Sequence, residues 1–311
     1  MLLSLFCTGK RKIKTMVDFI TDLKRKFKNG NIALKFIYAN VAFFILTSII
    51  VIFWTLFNRD GNYLLLYLEL PASVKTFLYQ PWSIITYMFM HADILHILFN
   101  MLWLYWFGEL FLYFFSSRHL RGLYFLGGIT GGILYMLAFN IFPYFMVAVN
   151  QSYMLGASAS VLAIVIATAA KSPNYSVTLF LFGRVRLKYL AAVIVLLDLL
   201  FITSDNAGGH IAHLGGALAG WLFVVGINNG HDYTKWINSF IDLFSNIDFS
   251  SKRRKPKMKV YYGERTKDYD FNARKKQSND EIDRILDKLK KSGYDSLSAS
   301  EKKALFDASK K

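Results

Sequence analysis

Three short segments hold the side chains with chemistry to offer, and each lies at the edge of an apolar run. The first is Gly156-Ala157-Ser158-Ala159. A glycine two residues before a serine allows a tight turn and close backbone approach. A serine entering a helix sits where the N-terminal amides lack intrahelical acceptors. Such amides can stabilise an oxyanion beside a nucleophile. Taken alone the pattern also reads as packing, because small residues let membrane helices approach. Ala159, Ala163 and Ala167 do form a small-residue row at helical spacing.

The second segment is His210-Ile211-Ala212-His213-Leu214-Gly215-Gly216, continuing to Gly220. Gly216 and Gly220 form a GxxxG face that permits close helix packing. His213 lies one turn before Gly216 on roughly the same face. An ionisable side chain inside an apolar helix is a functional candidate by default. A serine on one close-packed helix and a histidine on another could supply nucleophile and general base. The plainer alternative is a buried histidine bonded to a carbonyl. The third segment is His91-Ala92-Asp93-Ile94-Leu95-His96, followed by Asn100. His96 and Asn100 are four apart and share a helical face. Both can donate hydrogen bonds, which a developing oxyanion needs. A metal set built on these histidines and Asp93 is disfavoured, since His91 and His96 splay on a helix and no His-Glu-x-x-His box is present. No metal and no cofactor are expected.

The elements that must carry these groups are membrane helices. The 311 residues are 54% hydrophobic and 17% aromatic, above the usual soluble composition. The apolar character is concentrated in residues 33–228, and residues 229–311 are strongly charged. A crossing helix needs about 20 apolar residues. Six stretches qualify or nearly do: Leu34–Phe57, Ile94–Phe115, Leu120–Phe139, Leu155–Ala170, Leu187–Thr203 and Ile211–Ile227. Charges inside them are few, among them Lys35 at an end, Glu109 and Asp198. The runs are too long and too unalternated for barrel strands. Asp198 is the one clear midspan acid, and it reads as a hydrogen-bonded structural residue.

Basic residues fix the orientation. They crowd before the first stretch, from Lys10 to Lys28, and follow the second at Arg118 and Arg121. They follow the fourth at Lys171, Arg184, Arg186 and Lys188, and fill the tail. The alternation predicts a multi-pass protein with both termini cytoplasmic. The +16 net charge then reads as a cytoplasmic face near anionic lipid, and no nucleic-acid partner is expected. Cys7 is the sole cysteine, so no internal disulfide can form. Met1–Cys7 is apolar and is followed by basic residues, the reverse of a signal peptide. Met1 and Met16 both stand as candidate starts.

Together the three segments resemble the rhomboid family of intramembrane proteases. The resemblance rests on His91, His96 and Asn100 in the second stretch, Gly156-x-Ser158 opening the fourth, and His213-x-x-Gly216-x-x-x-Gly220 in the sixth. Pro81-Trp82-Ser83-Ile84-Ile85-Thr86-Tyr87 looks similar as well, and the likeness covers about 33–228. It implies an all-α, six-helix membrane bundle and a Ser–His dyad. Ser158 would be the nucleophile and His213 the base. His96, Asn100 and the Ser158 amide would hold the oxyanion, with His91 auxiliary. The substrate would be another transmembrane protein, met in the lipid bilayer, and the membrane a bacterial inner one. His210 is placed near the surface, outside the chemistry.

Three departures stand out. The aromatic often found four residues after the serine is Leu162. A Glu often found in the second stretch is Leu112, with Glu109 one turn earlier. The Trp-Arg pair of the first loop is missing, although Arg59 is present. That loop, Asn58–Gln80, is apolar enough to lie in the interface. Residues 1–32 read as a basic cytoplasmic N-terminus, and 229–311 as a basic cytoplasmic tail with two short helices near 278–311. Ser278-Asn279-Asp280-Glu281 reads as a capping box, Gly293 as a stop, and Ser298-Ala299-Ser300-Glu301 as a second cap. The tail reads equally as a module for a cytoplasmic partner or as passive. Two rival functions remain: a rhomboid-like binder that holds membrane clients without cutting, and a transporter. The first usually lacks the serine or histidine kept here. The second tends to show inverted repeats, which are absent.

Overall fold

The computed structural model describes Phe27 and residues 30–59, 65–179, 183–245 and 265–309. Met1, Cys7 and Met16, and the basic run 252–257, lie outside the described residues. The chain divides into two compact units, Met1–Ile247 and Asp248–Lys311.

The first unit is mostly helical. Helix α1 (Ile32–Leu56) is capped by Asn31, whose side chain accepts from the Leu34 amide at 3.0 Å. After it come strand β1 (Leu70–Pro71), the short helices α2 (Val74–Tyr79) and α3 (Ser83–Thr86), and a 3-10 turn at Tyr87–Phe89. Helix α4 (Ile94–Phe114) is capped by Asp93, and α5 (Ser117–Ile141) by Ser116. The one-turn α6 (Pro143–Met146) leads to strand β2 (Tyr153–Met154) and helix α7 (Ser158–Lys171). Strands β3 (Ser176–Leu179) and β4 (Gly183–Arg186) form a hairpin before α8 (Leu187–Leu200), α9 (Ala207–Asn228) and α10 (Lys235–Ser245). Two small antiparallel ladders therefore sit in a fold expected to be wholly α.

Each of the six apolar stretches holds a helix, but their lengths differ. Among the described residues α1, α4, α5 and α9 are long and apolar enough to cross a membrane. Helices α7 and α8 have 14 residues each, or about 21 Å, short of a hydrocarbon core of about 30 Å. The fourth apolar stretch was bounded at Leu155, and helix begins at Ser158, the serine read as entering it. The chain before it is held extended: Tyr153 and Met154 pair with Pro71 and Leu70. Gly156 then has φ +132°, a conformation that favours glycine.

Helix α7 is the buried centre, with every residue from Ala159 to Ala169 inside. Its alanine row explains how neighbours approach. A Cβ at Gly216 or Gly220 of α9 would overlap the backbone carbonyl of Ala159 or Ala163. On the α5 side, a Cβ at Gly131 would stand 2.8 Å from the Ala159 Cβ, and one at Gly127 would overlap Ala163. Glycine faces on two helices thus clasp one alanine row. Contacts this close add dispersion energy where lipid offers no hydrophobic drive.

Helix α10 was not expected, and it extends the first unit beyond the boundary read at 228. Arg121 donates to Asn238 Oδ1 at 2.8 Å, and Asn238 Nδ2 donates to the Arg118 carbonyl at 2.9 Å. Arg118 and Arg121 also pair with Asp242 at 2.8 and 2.7 Å. Trp236, Phe240 and Leu243 face outward from the same helix.

The second unit is a helical hairpin. Helix α11 runs Arg265–Ser292 and α12 runs Ala299–Ser309. The first is 28 residues long and passes straight through the capping box read at Ser278. Strong helix formers such as Arg274, Lys275, Lys276 and Gln277 lie just upstream. Continuing through exposed Ser278 and Asn279 costs only tenths of a kcal/mol each, roughly, whereas a new helix needs a costly nucleus. Gly293 ends the helix at φ +76°. At Ser298 the box is reciprocal: Glu301 Oε2 accepts from the Ser298 amide at 2.7 Å, and Ser298 Oγ accepts from the Glu301 amide at 3.3 Å. Ile285 and Leu297 are the buried contacts of the hairpin.

Candidate active site

The serine is held by what precedes it. Besides the β1–β2 pairing, the Ala72 amide donates to the Ser152 carbonyl at 2.9 Å, and the Gly156 amide to the Tyr87 carbonyl at 2.9 Å. The first loop is itself fastened by side chains of the Pro81–Tyr87 segment and its neighbour Gln80. Trp82 Nε1 donates to the Tyr67 carbonyl at 2.8 Å, and Thr86 Oγ1 to the Leu68 carbonyl at 2.6 Å. Gln80 Nε2 donates to the carbonyls of Leu66 and Glu69. Sequence reasoning flagged the segment without seeing this role.

Ser158 is the first residue of α7, and no side chain caps that end. Its amide and the next two therefore have no intrahelical acceptor. A cavity of about 920 Å³ opens over them, lined by Ser158, His96, Asn100 and His213. Gly156 lies where these groups converge: a Cβ there would stand 3.1 Å from His96 Nε2 and 3.6 Å from Ser158 Oγ. A side chain there would crowd His96 and would be strained by the positive φ. Gly156 is buried, and Ser158 is half-buried.

His96 has a readable tautomer. Its Nδ1 accepts from the Ala92 amide at 3.4 Å, which leaves the proton on Nε2, the nitrogen near Gly156. Asn100 uses one N–H on the His96 carbonyl at 2.9 Å, so its second N–H remains as a donor. His91 stands apart. It is buried ahead of α4 and packs edge-on against His96, with ring centroids 5.2 Å apart. It is absent from the cavity lining.

The largest surprise concerns His213. Its Nδ1 lies 2.9 Å from Asp198 Oδ1, and His210 Nδ1 lies 2.8 Å from the same oxygen. The resemblance implied a dyad with no acid behind the histidine, and Asp198 was read as merely structural. Leu162, in the place of the missing aromatic, lines the cavity. The signal available was weak: a single midspan acid, and a histidine one turn before another. These three side chains are also the one group, among the described residues, able to hold a metal ion, with ligand atoms within 4.8 Å of one another. At the second departure, Glu109 accepts from Asn31, tying α4 to the cap of α1.

Four helices of membrane-crossing length, with a cavity in the same unit lined by both apolar and polar side chains, define an integral membrane protein built around an internal site. Residues 79–229 match the family model described as the Rhomboid domain, and over that stretch the chain belongs to the rhomboid family, generally one of intramembrane serine proteases. Residues 265–311, which begin at the first residue of α11, match a family of unknown function (DUF6576). No curated protein matches the chain.

Proposed function

We propose that this protein is an intramembrane serine endopeptidase that cuts other membrane proteins in or near their transmembrane segments. The observation that carries this reading is one cavity lined by Ser158, His213, His96 and Asn100 together. Ser158 Oγ attacks the scissile carbonyl while His213 takes its proton. The oxyanion is met by His96 Nε2–H, the free N–H of Asn100 and the Ser158 amide. His213 then returns the proton to the departing amine, and water hydrolyses the acyl-enzyme by the same route in reverse. Gly156 leaves room for the approach, and Gly216 and Gly220 bring α9 close enough to deliver the base.

Six membrane passes, both termini cytoplasmic and a cavity open to the opposite side complete the reading. The alternation of basic connections supports that orientation. The resemblance to rhomboid proteases favours single-pass substrates with small, helix-breaking residues near the cut.

The test is a cleavage assay in liposomes with a tagged single-pass substrate. Ser158→Ala and His213→Ala should each lower the rate on the order of 10⁴-fold or more, with the Ser158→Ala melting profile unchanged. Cleavage that survives Ser158→Ala would place the chemistry elsewhere. A folded native protein that cuts none of several substrates would favour a client-binding role.

A further inference from the structure

We infer that Asp198 is a positioning residue for His213, so that the dyad works as a Ser–His–Asp relay drawn from three helices. This rests on the protease reading above. The observation is the shared oxygen: Asp198 Oδ1 lies 2.9 Å from His213 Nδ1 and 2.8 Å from His210 Nδ1.

The physical case begins with burial. The Asp198 side chain is only 6% exposed, and its Oδ2 has no hydrogen-bond partner among the described residues. A carboxylate so enclosed is costly unless charge-compensated or well bonded. No lysine or arginine pairs with it among the described residues, and its only bonds are to the two histidines. Each ring must carry its proton on Nδ1 to make that bond. For His213 this leaves Nε2 unprotonated, the form a general base requires. As the ring takes the serine proton, the carboxylate stabilises the imidazolium. The same carboxylate does for the ring what the absent aromatic at Leu162 does not: it fixes its orientation. A purely structural staple between α8 and α9 would show the same two bonds, so the test must read the ring itself.

Asp198→Asn keeps the side-chain shape and removes the charge. It should lower kcat by about 10²–10⁴-fold and leave KM within about threefold, because the residue touches no substrate. The second measurement needs no variant of Asp198. In ¹⁵N-histidine-labelled native protein in nanodiscs, His213, assigned by loss of its signal in His213→Gln, should be protonated on Nδ1. If Asp198→Asn does not fold, Asp198→Glu replaces it, with the same fall in kcat at an unchanged KM expected. A His213 protonated on Nε2 alone, or native kcat in Asp198→Asn, overturns the inference. So does cleavage that falls with a chelator and returns with zinc, which would assign the three side chains to an ion. Cleavage surviving Ser158→Ala would sink the protease reading instead, and the tautomer would still be measured.

Discussion

A missing methyl group determines how closely serine and histidine can sit. At Gly216 even a Cβ would collide with the Ala159 carbonyl, one residue from Ser158. Backbone cannot swing aside as a flexible side chain can, so Gly216→Ala should force α9 away from α7. The expected cost is about 1–3 kcal/mol, read as a lower melting temperature in detergent. The cleavage rate should fall further than stability alone explains. A variant with native melting and native rate would mean the two helices tolerate separation. Ser158, His213, His96 and Asn100 line one cavity; residue type and spacing drew attention to each, but each pattern alone also read as packing or as a bonded core residue, and only the resemblance joined them. Asp198 was not joined to them, because its meaning lies in the register between α8 and α9. Local periodicity carries no information about that register.

Among elements, the long apolar helices were the easiest to foresee, since twenty-odd apolar residues admit few other structures. The short ones were harder. Helix α7 starts only at Ser158 because an extended strand claims preceding residues, and that strand's partner lies far back in the first loop, Pro71 against Tyr153 and Leu70 against Met154. Helix α10 was overlooked although Trp236, Phe240 and Leu243 recur at helical spacing. Its buried face carries Asn238, a polar residue bonded to α5, which breaks the apolar signature. The α12 cap was read correctly because its chemistry is local, and it makes a pH prediction. The Ser298 amide, then Lys288, hold the Glu301 carboxyl down from 4.5 to about 2. A depressed folded value means the cap's contribution is full above the ordinary carboxyl value and is lost as pH falls through about 2. A carboxyl ¹³C titration of Glu301 should therefore show a midpoint near 2, and one near 4.5 would mean the cap does not form.

For the molecule as a whole, the site and its supports use only residues before Ile247, the end of the first compact unit. A chain ending at Ile247 should keep its melting temperature and its cleavage of a tagged substrate within about threefold. Loss of cleavage with native melting would give the helical hairpin a part in the reaction. Loss of both would give it a part in folding. Composition showed where the apolar and charged halves divide, but it put the break at 228. The arginine and asparagine bonds that retain α10 are invisible to a hydropathy average.

The site is also assembled in time. On the proposed chemistry its donors come from α4, its nucleophile from α7 and its base from α9, the last long apolar helix of the first unit. A ribosome delivers these segments in that order. A half-made chain would thus expose the serine with no histidine to activate it. On the proposed chemistry, a protease inserted among unfinished membrane proteins stays inert until its own bundle closes.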